Sequence, residues 1–307
     1  MPLRLPDKLP AIKRLEDENI FVIDETRGHT QDIRPLRMVI LNLMPLKVTT
    51  ETDLIRLLSN TPLQIDVTFM KLKSHTPKNT PIEHMKQFYI DFDILRNKKF
   101  DGMIVTGAPV EDYSFEDVTY WEEISEIFTW ARTHVTSTMY ICWAAQAALY
   151  AFHGIKKTSL PKKVFGIFPQ YISPEYENSP LFRGFDSEFN MPHSRHSGTL
   201  SKDVEACPAI SILAQSPKTG PSIMMERDGR EIYITGHMEY NPDTLDTEYK
   251  RDLGKRDDVD KPINYYIDDD PDKGPRVTWR AHANLLYHNW INYYIYQKTP
   301  YNIDEIS

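Results

Sequence analysis

Ser137-Thr-Met-Tyr-Ile-Cys142 runs directly into Trp143-Ala-Ala-Gln-Ala147. The first run is rich in β-branched and aromatic side chains and favours an extended strand. The alanine-rich run behind it favours a helix, which should stop near Gly154. A strand that turns into a helix at a single residue is the unit from which parallel α/β sheets are built. The same alternation recurs upstream. Met38-Val-Ile-Leu-Asn-Leu-Met44 is nearly all apolar, as a strand covered on both faces requires. Thr50 fits as the cap of a following helix with Leu54, Leu57 and Leu58 on its apolar stripe. Gln64 to Met70 alternates at period two and predicts a second strand. Pro81 fits the first position of the next helix. Phe100 to Gly107 predicts a third strand closed by Gly107-Ala-Pro109, and a helix spans about Trp121 to Arg132. The sum is a three-layer α/β/α architecture with a mostly parallel central sheet.

Downstream the pattern loosens. Residues 155–205 hold prolines, glycines and short apolar pieces and read as loops around one short strand. Ala209–Ala214, Ser222–Met225 and Glu231–Thr235 read as strands, the last two joined by a turn at Asp228-Gly229. Lys255 to Pro275 is a polar, Asp-rich loop. Trp279 to Tyr296 reads as a helix loaded with aromatics, suited to core or to a subunit contact, so a homodimer is one expectation. Residues 1–36 read as an irregular lead-in packed on the core, and 37–307 as a single α/β catalytic domain including the C-terminal helix.

Composition narrows the function. The chain has 307 residues, 36 Lys+Arg and 44 Asp+Glu, for a net charge of −8. A basic footprint for nucleic acid is missing. Two cysteines, Cys142 and Cys207, cannot supply a disulfide framework. No apolar run reaches membrane-spanning length, and the charged N-terminus does not read as a signal peptide. The expectation is a soluble cytoplasmic protein without nucleic-acid or membrane partners. No GxGxxG or Walker loop occurs, so dinucleotide and ATP binding have no support.

Chemistry concentrates at Cys142. A side chain at a strand-to-helix elbow is exposed beside the helix's first N–H groups, which can stabilise a thiolate or the oxyanion of a tetrahedral intermediate. A buried, inert thiol is the ordinary alternative. His237-Met-Glu239 follows the strand that ends at Gly236, and residues two apart in extended chain share a face. Glu239 can then orient His237, and His237 can act as base toward a nucleophile. His193 and His196 with Cys207 match no metal-ligand spacing and read as a surface loop. Asp268-Asp269-Asp270 could hold a hard cation but fits a solvated loop better. No metal and no permanently bound cofactor is expected.

Ile33-Arg-Pro-Leu, Leu41-Asn-Leu-Met-Pro45, Val105-Thr-Gly-Ala-Pro109, Cys142-Trp-Ala-Ala-Gln-Ala, Pro192-His-Ser-Arg195, Thr235-Gly-His-Met-Glu-Tyr240, Asn289-Trp-Ile-Asn-Tyr-Tyr and Thr299-Pro-Tyr301 together resemble the homoserine O-succinyl/acetyltransferase family of methionine biosynthesis. The likeness covers essentially the whole chain. It implies a class I glutamine amidotransferase-like (flavodoxin-like) fold, acyl-CoA as co-substrate and L-homoserine as acceptor. It implies Cys142 as the nucleophile that takes the acyl group, His237 as base and Glu239 as its orienting partner. The backbone N–H of Trp143, together with Lys47, matches the oxyanion positions, while Lys163, Ser194 and Arg251 match those that bind the amino acid.

Within that family a Gly at the position of Glu111 accompanies succinyl-CoA and a Glu accompanies acetyl-CoA. The resemblance therefore implies acetyl-CoA here. A carboxylate at that place fills the space of a longer acyl chain and repels a succinyl carboxylate. The chain departs from the family pattern at Met238, where Pro is common, and at Phe165, where a small polar residue is common. The second departure bears on the acceptor pocket and keeps L-serine, one methylene shorter, as a competitor. Succinyl-CoA as donor, a glutamine amidotransferase or Cys hydrolase using the same triad, and a non-catalytic sensor complete the alternatives.

Overall fold

The computed structural model describes residues 3–6, 9–17, 22–24, 34–77, 79–226, 229–254 and 259–306. Strands β1 (Leu3–Leu5), β2 (Val22–Asp24), β3 (Leu36–Leu41), β4 (Ile65–Lys71), β5 (Tyr89–Asp91), β6 (Phe100–Val105) and β7 (Val135–Ile141) precede Cys142. After it come β8 (Thr158–Ile172), β9 (Glu188–Gly198), β10 (Ile210–Ser216), β11 (Gly220–Glu226) and β12 (Glu231–Ile234). They form one 12-stranded sheet in the order β2-β1-β4-β3-β6-β7-β12-β11-β10-β8-β9, with β5 beside β4. Every pairing from β2 to β12 is parallel. From β12 to β9 every pairing is antiparallel.

The helices used below are α1 (Pro10–Asp17), α2 (Lys47–Leu58), α3 (Ile82–Phe88), α4 (Trp121–His134), α5 (Trp143–His153), α6 (Thr244–Leu253) and α7 (Arg280–Asn289). β3 explains why they lie in two layers. Successive strand side chains point to opposite faces, and all of β3 but Arg37 is buried. Met38 and Ile40 pack in one core with Leu54 and Leu58 of α2 and Leu286 of α7. Val39 and Leu41 pack in the other with Ile124 and Phe128 of α4 and Ala144 and Ala148 of α5. An almost unbroken apolar run is therefore sandwiched, as read from the sequence. The aromatic C-terminal segment is engaged within this chain: Trp290 is fully buried, and its Nε1 donates to Ser137 Oγ at 2.9 Å. It gives no argument for a homodimer.

Several expectations need correction. α2 begins three residues before Thr50, with Leu46 as its cap residue; Thr50 lies inside the helix and its hydroxyl bonds the Leu46 carbonyl at 3.3 Å. Pro81 is the residue before α3, not its first position. Residues 155–205 are not loops around one short strand but hold the long antiparallel pair β8 and β9. Pro161, Pro169 and Pro192 disguised them. β8 touches β10 only at Tyr171 and Ile172, so most of its length has an unpaired edge, where proline is tolerated. His193 is consequently buried within β9, not on a surface loop. The lead-in is not wholly irregular, since β1 pairs with β4 and extends the sheet. Much of the rest of 1–36, Asp228 of the expected turn, and residues 255–258 of the acidic loop lie outside the described residues. In the remainder of that loop Asp268 pairs with Lys273 at 3.0 Å and Asp269 with Lys261 at 2.6 Å.

One buried charge sits at the end of β12 opposite Cys142. Glu231 has no solvent exposure, and burial pushes its carboxyl up to about 8 despite the nearby Arg132. The folded chain then keeps a proton that the unfolded chain releases near 4.5. Its contribution makes stability fall as pH rises from 4.5 toward 8. Glu231→Gln should flatten that slope in urea unfolding measured at about pH 5 and pH 8. An unchanged slope would assign the titration to another group.

Candidate active site

Cys142 occupies the residue between β7 and α5 with φ 53° and ψ −114°. Left-handed backbone at a non-glycine residue is uncommon and marks a turn held by its surroundings. Here the Cys142 N–H donates to Ile234 of β12 at 2.7 Å, and its carbonyl accepts the Ala145 and Gln146 N–H groups. The N–H groups of Trp143 and Ala144, which open the helix, have no intrahelical acceptor. Room for the elbow comes from Gly107, just beyond β6. A Cβ there would lie 3.2 Å from Cys142 Cβ and 3.6 Å from His237 Cε1, which fixes how closely β6, β7 and β12 deliver their ends.

His237 lies just past β12. Its Nδ1 donates to Glu239 Oε1 at 2.6 Å, and the ring and the Cys142 side chain both border the space over Gly107. The segment is a turn, not the extended chain expected, yet the His-to-Glu contact forms. Its backbone N–H is anchored on the Pro192 carbonyl of β9 at 2.8 Å. Tyr240 stacks on the imidazole with centroids 4.1 Å apart and planes 14° apart. Burial disfavours the charged ring, but the Cys142 sulfur and the Glu239 carboxylate outweigh it and hold its pKa well above the ordinary value. The proton thus sits between a sulfur and a carboxylate, the disposition of a Cys-His-acid array.

The residues matched to amino-acid binding converge on Glu248 of α6, which the sequence reading missed. Ser194 Oγ donates to Glu248 Oε2, Lys163 Nζ lies 3.6 Å from the same oxygen, and Tyr240 Oη donates to Oε1 at 3.3 Å. Lys163 also lies 3.7 Å from Asp252 and 4.0 Å above the Phe165 ring. Arg251 is half-exposed, and its Nε donates to Asp252 at 2.9 Å. The signal available in sequence was an acid three residues before Arg251, close to one helical turn away.

Lys47 and Glu111 complete the inventory. Lys47 Nζ is buried and donates to the Asn42 and Met44 carbonyls at 2.5 and 3.3 Å. Burial lowers its pKa to about 8, against the pull of Glu51. It follows β3, two strands from Cys142, and none of its hydrogen bonds reaches the Cys142 elbow. Glu111 Oε2 accepts the His196 N–H at 2.8 Å. Arg195, 1% exposed, is held by the Ser197 and Thr219 carbonyls within electrostatic reach of both Cys142 and Glu111. A cavity of about 1000 Å³ opens beside Lys163, Phe165 and Tyr266, and neither Cys142 nor His237 lines it. Among the described residues no cluster of three or more His, Cys, Asp or Glu suits a metal ion.

The mostly parallel sheet, with the Cys142 elbow and the His237–Glu239 pair at neighbouring strand ends, has a class I glutamine amidotransferase-like fold. A glutamine amidotransferase from Thermotoga maritima superposes with a TM-score of 0.54 at 12% identity, over 85% of this chain and 98% of that one; this likeness concerns fold alone. The family model described as homoserine O-succinyltransferase matches residues 2–301, and the chain belongs to that family. A Bacteroides thetaiotaomicron protein named homoserine O-acetyltransferase is 63% identical over 100% of both chains. A Phocaeicola vulgatus protein of the same name is 62% identical, again over 100% of both.

Thiol alkylation tests the array. Iodoacetamide should modify Cys142 faster than Cys207 near neutral pH, and Glu239→Gln should slow Cys142 by about tenfold, the usual effect of one charge-assisted hydrogen bond. Equal rates for the two cysteines would show that His237 does not act on the sulfur.

Proposed function

We propose that this chain transfers the acetyl group of acetyl-CoA to the hydroxyl of L-homoserine, giving O-acetyl-L-homoserine and CoA. The observation that carries the reading is the convergence of Cys142 with the His237–Glu239 pair at neighbouring strand ends, in a family of homoserine acyltransferases. The names of the full-length relatives, and a glutamate at position 111, support acetyl as the group transferred. The reading extends to a cytoplasmic step of methionine biosynthesis, on the strength of the family likeness.

In this mechanism the Cys142 thiolate attacks the thioester carbonyl, and the oxyanion is received at the Trp143 N–H. Lys47 joins it if Nζ leaves its carbonyl partners. The intermediate collapses with loss of CoA thiolate, which takes the proton from His237, and leaves an acetyl-Cys142 thioester. His237 then removes the proton of the homoserine hydroxyl, whose oxygen attacks the new thioester and expels the Cys142 thiolate. Glu239 keeps the imidazole oriented and stabilises its charged form. Arg251 suits the α-carboxylate, because its fork bonds two oxygens. Glu248 and Ser194 offer acceptors to the α-ammonium, with Lys163 balancing their charge. Phe165, buried beneath the Lys163 ammonium, gives that pocket an apolar wall.

The test is CoA release with acetyl-CoA or succinyl-CoA, each offered L-homoserine and L-serine. Release should be confined to acetyl-CoA with homoserine, and preference for serine would overturn the acceptor. Glutamine turnover without CoA would favour the amidotransferase reading. Cys142→Ala should abolish both transfer and acyl-enzyme; substantial residual turnover would sink the covalent route. Arg251→Ala should raise the KM for homoserine about tenfold or more with a smaller effect on kcat, and an unchanged KM would move the carboxylate site elsewhere.

A further inference from the structure

Tyr240 touches two groups that the mechanism keeps apart, the base and the carboxylate of the acceptor site. It stands three residues after His237, and its N–H donates to the His237 carbonyl at 3.4 Å. A turn of that length brings its first and fourth residues together, so the phenol folds back onto the imidazole of its own loop. The two planes are 14° apart with centroids at 4.1 Å, and one face of the base is covered. At the other end of the ring the hydroxyl donates to Glu248 Oε1 at 3.3 Å. Ser194 and Lys163 meet the second oxygen, Oε2. Tyr240 is itself held. It is 8% exposed and belongs to an apolar cluster separate from the two sandwich cores, with Phe165, Leu245, Tyr265, Tyr266 and Trp279. Trp279, the residue that caps α7, donates its Nε1–H to the Tyr240 carbonyl at 3.1 Å. Burial, together with the charges of Glu248, Glu239 and Cys142, holds the phenol pKa well above its ordinary value, so the hydroxyl stays a donor.

We propose that Tyr240 is a positioning residue that ties the base to the acceptor site: its ring fixes the plane of His237, and its hydroxyl fixes that plane relative to Glu248. The imidazole is thereby aligned for a hydroxyl presented by an amino acid seated on Glu248. The inference rests on the acyl-transfer reading. Tyr240 and Glu239 have different duties. Glu239 holds the imidazole by its Nδ1 edge and serves every step in which His237 handles a proton. The Tyr240 hydroxyl has its partner on the acceptor side alone, so it serves the second half-reaction. Its loss leaves acetylation of Cys142 by acetyl-CoA intact and slows transfer to the amino acid, because a small misplacement of a reacting pair is costly. Water needs no seat on Glu248 and still hydrolyses the acetyl-enzyme as before, releasing acetate. The link thus favours transfer to the acceptor over loss of the acetyl group to water.

The experiment separates the half-reactions. Acetylation is read as the burst of CoA released by acetyl-CoA without acceptor, and decay of the acetyl-enzyme is followed by mass spectrometry with saturating L-homoserine or with water alone. Tyr240→Phe keeps the stacked ring and drops the hydroxyl. It should slow transfer to homoserine about tenfold, the usual effect of one hydrogen bond to a charged group, with acetylation and hydrolysis unchanged. Tyr240→Leu removes the ring as well and should slow acetylation too. Trp279→Phe removes only the bond to the Tyr240 carbonyl. It should lower the ratio of transfer to hydrolysis in the same direction, which keeps the inference testable if Tyr240→Leu does not fold. Equal slowing of all three rates in Tyr240→Phe would reduce Tyr240 to a structural role, and no change in any of them would show that the hydroxyl positions nothing; either overturns the link. Absence of acetyl-enzyme in the unaltered protein would instead sink the acyl-transfer reading, and the inference with it.

Discussion

A left-handed backbone at Cys142 requires that a non-glycine residue be held where it costs of order 1–3 kcal/mol. Three elements share that load. β12 takes the Cys142 N–H, the first turn of α5 takes its carbonyl, and the missing side chain of Gly107 lets the end of β6 close in. Each exists because parallel strands deliver their C-terminal ends to one rim of the sheet. Moving any one would relax the elbow toward ordinary helix and turn the sulfur away from the helix's first N–H groups. The strain is therefore a property of three strand ends in register, and His237 follows β12, the strand that also holds the Cys142 N–H.

The second half of the sheet does different work. Antiparallel strands β8 and β9 fold back so that Pro192 receives the His237 N–H and Ser194 faces Glu248. A bulge between them, with Leu160 to Lys163 of β8 opposite His196 alone, brings Lys163 near Glu248 and frees the His196 N–H for Glu111. One irregularity thus contributes to both sides of the reaction we propose. Its cost in lost ladder bonds is offset locally, because a side chain replaces the strand partner.

Legibility in the sequence followed how local each signal was. β3, β6 and β7 could be read because a strand buried on both faces is apolar throughout, and α5 because alanine has a strong intrinsic preference. The elbow was readable for the same reason, since two local preferences meet at Cys142. The His237–Glu239 contact was readable as a pair, although it forms across a turn. β8 and β9 were not: their stability comes from pairing with each other, around one bulge that takes in Pro161, and neither is visible to local propensity. Glu248 was hidden too, because its partners Ser194 and Lys163 lie 54 and 85 residues away. The family likeness supplied Lys163, Ser194 and Arg251, which no periodicity singles out.

Lys47 shows where likeness and geometry need to be joined. Family resemblance assigns it to the oxyanion, while its ammonium is bonded to the Asn42 and Met44 carbonyls. Those carbonyls belong to a small buried network: Asn42 accepts the Met44 N–H at its Oδ1 and donates through its amide to Tyr89, and Tyr89 donates to Glu51, which also meets His84 at 2.9 Å. A buried ammonium whose pKa has fallen to about 8 is poorly solvated. Negative charge developing on an acyl oxygen would attract it more strongly than two neutral carbonyls do. In the mechanism we propose, the resting contacts would act as a holding position, and the shift of Nζ toward the oxyanion would occur only as charge appears. Such a shift would give the transition state an interaction the ground state lacks, which is the condition for faster chemistry and not merely tighter binding.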